Sequence, residues 1–535
     1  MTAEKAISHL DKDKWAATDA STKLDLLTKS RDNVDKYIEE LAKTDTIAKG
    51  WDVENKFLLG LGYQATVIPI IGQINAMIDL YKELAKDSEM LKPLEVKKVG
   101  SQDKYDLLVY PHKKMDKMMY MDRKDYLRVK GEPLQLNPLN NPAGIIAVLG
   151  AGNYSSSVEM INALFLENCA VVHKPHPINE KTDLIWAQIF KPLVEFNALS
   201  FCDPDSGKEL TTDSRVSKIY FTGGAKTAKT IGENTDIPMV SECGGNNPFF
   251  IVPPDKDWSA DDIHHQAMVI ATMVKFNGGA ICGRPQTFVT SKHWKQRRAF
   301  LDALKNALAN ETPATPSYYP NSEKTFEEFK QAYPDADVLK CAEDSDNPKS
   351  DILFIEDIGH DSYATTHEAF TLIVDEVALD VPANVKEYMP VAVKYANDKL
   401  LGTLTSCIVI DDETLKNNKE VIDAAISDLE YGSIGINTMP PFIFLNPYLT
   451  WGGNEEGKEL VSGRGNFGNL LNYQNVEKSI SYSNFISAGH MKSVNTQAWF
   501  KLSKNYAEYT ANPKFVNLVP MAMSLIKNNI RKKDF

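Results

Sequence analysis

The sequence predicts an α/β fold built on a parallel sheet with helices on both faces. Continuous apolar runs of strand length, Ile145–Leu149 and Ala170–Lys174, alternate with helical stretches across 142–254, the pattern of strands buried on both sides. Gly152-Asn153, Lys174, Thr222-Gly223-Gly224 and Glu242 all follow or end such runs, at the edge where parallel sheets bind ligands. The same alternation resumes after 255, so a second α/β unit is expected within the 535 residues.

Residues 1–55 carry apolar positions at helical spacing (Leu24, Leu26, Leu27, then Val34, Tyr37, Ile38, Leu41) and read as a packing layer. Helix continues over 57–90. Polar Gln64, Gln73, Asn75 and Asp79 within it argue against a membrane span. Short strands are predicted at 106–110 and 126–129. Strands at 145–149, 170–174, 218–221 and 238–242 then enclose helices at 158–168, 184–196 and 225–233. Pro253-Pro254-Asp255-Lys256-Asp257 marks a boundary. Beyond it lie an apolar helix leading to Phe276, a strand at 287–290, a helix at 294–310, a polar loop at 311–322, strands at 406–410 and 433–437 around a helix at 421–429, and a glycine-rich stretch at 451–468.

A net charge of −13, from 59 basic and 72 acidic residues, argues against nucleic acid as a partner. Six scattered cysteines without a C-x-x-C pair read as reduced thiols, and Met1-Thr2-Ala3-Glu4-Lys5 has no signal-peptide core, so a soluble, cytoplasmic protein is expected. His264-His265 lacks further ligands at metal spacing and reads as two helix-surface histidines; no metal is expected. The tail from Pro513 (Phe515, Val516, Leu518, Val519, Met521, Met523, Leu525, Ile526, Ile530, then Arg531-Lys532-Lys533) reads as a surface for docking on a subunit, for covering a tunnel, or for touching an acidic membrane, in that order.

The chemistry centres on Phe276-Asn277-Gly278-Gly279-Ala280-Ile281-Cys282-Gly283. Glycines on both sides expose the Cys282 thiol and leave its amide N–H free to meet a bound oxygen. Gly150-x-Gly152 is a weak dinucleotide signal. The acidic residue expected after the second strand is replaced by Lys174 with His176 beyond it, cations suited to ribose hydroxyls or to a 2′-phosphate.

These motifs resemble those of the aldehyde dehydrogenase superfamily, in the correct order from about 142 to 480. Asn153-Tyr154 is similar to W-N-[FY]-P, His173-Lys174-Pro175 to K-P-S-E, and Phe221-Thr222-Gly223-Gly224 to F-T-G-S. Glu242-Cys243-Gly244-Gly245 is similar to E-L-G-G, Asn277 to Cys282 to N-x-G-Q-x-C, and Glu368-Ala369-Phe370 to E-x-F-G-P-V. The closing elements correspond to Gly432–Asn437 and Trp451-Gly452-Gly453. Gly152 stands for the tryptophan, Pro177 for the K-P-S-E glutamate, Asn246 for a lysine, Ala280 for the glutamine and Thr371-Leu372 for Gly-Pro. The spacing after Cys282 is similar to that of the class-3 and fatty-aldehyde branch.

The resemblance implies a Rossmann-type cofactor domain (1–123 and 143–254), an α/β catalytic domain (255–452), a small oligomerisation element (124–142 and 470–490) and a C-terminal extension (491–535), assembled as a homodimer or homotetramer. It implies Cys282 as nucleophile, Asn153 as oxyanion donor and Glu242 as base. Lys174, His176, Gly152, Thr222, Gly223, Gly224, Glu368 and Phe370 would contact NAD or NADP. The expected reaction is oxidation of a small-molecule aldehyde to the acid through a thioester. A positive or dipolar setting is expected to lower the thiol's pKa, and Met439, Phe442, Phe444 and Trp451 to line the substrate site. The alternatives are a CoA-acylating dehydrogenase or acyl-CoA reductase of the same fold, or a non-catalytic scaffold.

Overall fold

The computed structural model describes residues 1–86, 90–113, 116–117, 122–455 and 460–530, with the backbone alone for 529 and 530. Two sheets organise it. The smaller has five parallel strands in the order Leu199–Phe201, Ala170–Lys174, Ile145–Leu149, Lys218–Thr222, Met239–Glu242. Because the chain starts in the middle and winds outward in both directions, the first strand's carboxyl end opens a crevice, and Gly150–Asn153 lies there.

The larger sheet has eleven strands. Its centre is parallel: Val476–Tyr482, Ser433–Ile436, Thr405–Val409, Phe249–Ile251, Thr287–Ser291, Ile373–Leu379 and Ile352–Ile355. Antiparallel strands extend both edges, and here the structure redraws the expected divisions. Lys104–Tyr110, assigned from the sequence to the cofactor part, pairs with Lys124–Lys130, which pairs with Val476–Tyr482. These strands are therefore continuous with the catalytic sheet. Phe249–Ile251, also assigned to the cofactor part, lies at that sheet's centre. Local pattern marks a strand but not its neighbour. Register is fixed by pairs such as Asp106 opposite Arg128, whose guanidinium donates to both carboxylate oxygens at 2.7 and 2.9 Å.

The N-terminal helices pack on the cofactor sheet. Helix Lys56–Leu84 is long and apolar enough to cross a membrane, but 89% of its apolar stretch is buried inside the protein, so it is a core helix. It crosses Ile38–Ala48 closely: a Cβ at Gly62 would lie 2.5 Å from the Ala42 carbonyl oxygen. On its other side lies Thr496–Ala511, where the Gln64 amide donates to Ser503 Oγ at 2.7 Å. The last described helix, Phe515–Ile530, turns Leu518, Met521 and Asn528 inward and leaves Phe515, Val516, Val519, Met523 and Ile526 exposed. Arg531-Lys532-Lys533 lies outside the described residues.

Candidate active site

The thiol loop begins where helix Ala260–Lys275 stops. That helix opens with a capping box between Ser259 and Asp262, and Asn277, Gly278 and Gly279 break it with φ of 54°, 65° and 78°. Larger residues have no room there: a Cβ on Gly278 would lie 2.8 Å from the Pro316 carbonyl oxygen, and one on Gly279 2.6 Å from the Thr371 carbonyl carbon. The Asn277 amide reaches the Ala280 carbonyl at 3.1 Å and the Asn153 carbonyl at 2.7 Å. One side chain thus shapes the thiol turn and fastens it to the loop carrying Asn153. Asn247 acts from below, donating to the carbonyls of Cys282 at 2.6 Å and Arg284 at 3.0 Å. Ala280 is fully buried, so the turn departs from the glutamine-bearing motif without leaving a gap.

Cys282 and Asn153 lie where two cavities meet. One, about 830 Å³ counted to its mouth, is an apolar tunnel walled by Ala65, Ile68, Met273, Phe444, Trp451 and Tyr506. Phe442, Phe444 and Trp451 line it as the sequence suggested. Met439 does not; it packs into the hydrophobic core, 1% exposed. The sequence missed the contributions of Lys56–Leu84 and Thr496–Ala511, because a helix's inward face does not reveal which cavity it will border. The other cavity, about 720 Å³, lies along the carboxyl edge of the small sheet and is bounded by Thr222, Gly223, Gly224, Glu242, Glu368 and Phe370.

The electrostatics differ from expectation. Among the described residues no cation ranks among the main influences on the Cys282 pKa. Burial, and then the Glu242 and Glu368 carboxyls, push the thiol well above its usual range, while the Gly283 N–H opposes them. Cys282 and Glu242 line the same cavity, and Glu242 is the side chain that acts most strongly on the thiol. Burial raises Glu242 itself to about 7, opposed by Cys282 and by a bond from the Trp451 indole N–H at 3.4 Å. At rest the sulfur is a thiol with a base of near-neutral pKa at hand. Asn153 is buried, and its side-chain amide is uncommitted among the described residues.

On the cofactor side, Gly224 precedes helix Ala225–Asn234, and a Cβ there would meet nothing within 4 Å, so the helix's free N–H groups are open to a phosphate. The Thr222 hydroxyl donates to Glu159 at 2.7 Å. Glu368 is raised to about 8 by burial. A Cβ on Gly244 would collide with its carboxylate. Gln286 holds that segment, accepting from Ala369 N–H at 2.8 Å and donating to the His367 carbonyl at 2.9 Å. Phe370, with φ 46°, sets its ring edge-on to Tyr319 at 4.9 Å. Lys174 is half-buried at its strand end. His176 lies against Gly152, accepts from Ile178 N–H at 3.2 Å through Nδ1, and is pushed down to about 4 by burial, so it is a neutral ring near pH 7. A dinucleotide fits this set, with an open helix terminus for phosphate and a buried carboxyl for hydroxyls.

The family model for the aldehyde dehydrogenase family matches residues 76–318. The fold is shared with the aldehyde dehydrogenase KauB from Pseudomonas aeruginosa at 16% identity and TM-score 0.62, over 90% of this chain and 88% of that one. Residues 76–318 are similar to the aldehyde dehydrogenase family, and the fold over 90% of the chain is shared with a solved aldehyde dehydrogenase. Aldehyde dehydrogenase C from Pseudomonas syringae, solved with NAD+ and octanal, superposes at 13% identity and TM-score 0.63, over 90% and 89% of the two chains. An NADP-dependent glyceraldehyde-3-phosphate dehydrogenase from Bacillus halodurans, complexed with NADP, does so at 15% and 0.60, over 90% of each.

Beyond the site residues proposed from the sequence, the structure brings in Asn247, Asn277, Glu159, and Trp451 as a partner of Glu242. The first two had a readable signal, since asparagine tolerates the left-handed backbone that both adopt. The histidine pair separates: exposed His264 reaches Glu311 at 2.8 Å, whereas His265 meets buried His490 at 2.9 Å and is not a free surface residue. Among the described residues no group of three or more His, Cys, Asp or Glu is placed to hold a metal.

Burial of so many carboxyls gives stability a pH dependence. Asp183, Glu242 and Asp375 are raised to about 7 and Glu368 to about 8, against about 4 in an unfolded chain. Between about pH 6.5 and 8 the native state binds more protons than the unfolded state, so stability falls as pH rises. Buried histidines, held below their usual value, give the opposite slope only below about pH 6.5. Thermal melting without dinucleotide is expected to give a higher midpoint at pH 6.5 than at pH 8; a flat or rising midpoint would contradict it.

Proposed function

We propose that the protein oxidises an apolar, medium- or long-chain or aromatic aldehyde to the carboxylic acid with NAD+ or NADP+. The observation that carries this is the Cys282 thiol, in one cavity with the Glu242 carboxyl, at the junction of the apolar tunnel and the cofactor cavity.

The substrate's chain lies in the tunnel and its carbonyl reaches Cys282. Glu242 takes the thiol proton as sulfur adds to the carbonyl carbon, so the charge moves onto the substrate oxygen rather than resting on a buried thiolate. The Asn153 amide and the Cys282 backbone N–H receive that oxyanion; loss of one such donor elsewhere costs about 3–4 kcal/mol in the barrier. When bound, the oxidised dinucleotide supplies the acceptor for the hydride that the tetrahedral centre loses. Thr222, Gly223, Gly224, Glu368 and Phe370 would hold its reactive half, and Gly152, Lys174 and His176 its adenosine half. The acyl group is left as a thioester on Cys282. Glu242, once relieved of its proton, deprotonates the water that releases the acid. Its pKa near 7 suits both duties. A water-activating base at this place favours hydrolysis over CoA transfer.

Fluorescence detection of NADH and NADPH across an aldehyde chain-length panel, with and without CoA, tests this reading. Acid formation without CoA, with kcat/KM rising with chain length, is expected. Turnover that requires CoA, or a preference for short polar aldehydes, would overturn it.

A further inference from the structure

A third carboxyl lies beneath the catalytic pair. Glu159, the first residue of helix Glu159–Phe165, is 2% exposed, and among the described residues no ion pair reaches it. Burying a carboxyl without a cation is costly unless hydrogen bonds replace the lost water. Two hydroxyls do so here. Thr222 Oγ1 donates to Oε1 at 2.7 Å, and the Tyr154 hydroxyl bridges both oxygens at 3.1 and 3.3 Å.

The two donors belong to different walls of the site. Thr222 ends its strand directly opposite Glu242 in the parallel register and borders the cofactor cavity. Tyr154 follows Asn153 in the chain, borders the tunnel, and sets its ring edge-on to Phe444 at 5.4 Å. One buried side chain therefore joins the strand end beside the base to the loop that carries the oxyanion donor.

We propose that Glu159 is a positioning residue for the reaction, locking Tyr154, and with it Asn153, against the Thr222 strand end that lies beside Glu242. The assignment rests on the oxidative function proposed above. Asn153 has a second tether, its own carbonyl held by Asn277. That bond fixes the loop against the thiol turn, while Glu159 fixes it against the base, so the two clamps act in different directions. Loss of the Glu159 bonds would leave two half-buried hydroxyls without that acceptor and free the Tyr154 ring to turn into the tunnel. Donor placement for an oxyanion tolerates shifts of only a fraction of an ångström, so kcat is the quantity affected.

The test compares Glu159→Leu with Glu159→Gln in the full-length protein, using an aldehyde that the wild type oxidises. Leu removes both bonds and is expected to lower kcat about 10–100-fold with KM within about threefold. Gln keeps an acceptor for Thr222 and an amide for Tyr154, and is expected to retain kcat within about fivefold. A Leu variant within twofold of wild type, a Gln variant as impaired as Leu, or a loss confined to KM would overturn the assignment. If the Leu variant does not fold, Tyr154→Phe removes the bonds between Glu159 and the Asn153 loop from the other side. A fall in kcat then supports the assignment, and an unchanged kcat rejects it. Absence of wild-type turnover on any aldehyde would instead reject the function itself.

Discussion

Replacing Cys282 with alanine is expected to reduce aldehyde oxidation at least about a thousandfold while leaving the fold and dinucleotide binding in place. Alanine keeps the turn, because the loop is held by bonds to the Cys282 and Arg284 carbonyls and by Asn277 rather than by the sulfur. What is lost is the group that turns a planar carbonyl into a tetrahedral centre able to release hydride. Circular dichroism and dinucleotide fluorescence check the fold and the cofactor cavity, and reduced-dinucleotide formation checks the chemistry. Turnover surviving the substitution would remove the thiol from the reaction. The wild-type thiol should also alkylate slowly at neutral pH and faster as pH rises, because burial and two carboxyls hold its proton.

Glu242→Gln is expected to lower steady-state turnover by about 10²–10⁴-fold. Wild-type activity should fall as pH drops through about 7, since Glu242 must be ionised to take a proton and burial sets its pKa there. The amide cannot titrate, so this limb should be absent from the variant's profile. Rapid-mixing experiments separate the base's two duties. The first turnover should slow, because the thiol loses the base that takes its proton, and deacylation should slow as well, so the acyl-enzyme accumulates. A variant within threefold of wild type that kept the acid limb would remove Glu242 from both steps.

Much of this site is legible along the chain because its parts fall at strand ends. Gly152-Asn153, Lys174, Thr222-Gly223-Gly224 and Glu242 follow apolar runs too continuous to be anything but buried parallel strands, and the sheet brings those ends to one edge. Cys282 is legible from the glycines around it. Glu368 is harder, since a carboxylate after Tyr363–Thr366 has no local feature that buries it; Gln286 and the close approach of Gly244 do that. Glu159 has no sequence signal either. An acidic residue opening a helix is ordinary, and only the packing of that helix under the small sheet hides it from water.

The sequence by itself determined which residues form the buried strands, which turns carry glycine, and where a thiol, a carboxyl and an amide stand at the ends of those elements. Those properties are local, set by burial periodicity and backbone freedom. The tertiary structure alone decided that Lys104–Tyr110 joins the catalytic sheet, that the core helix Lys56–Leu84 and the helix Thr496–Ala511 wall the tunnel, and that the thiol faces two carboxyls. Pairing, enclosure and pKa depend on groups hundreds of residues apart, and the desolvation that sets Glu242 near neutrality exists only once those groups have closed around it.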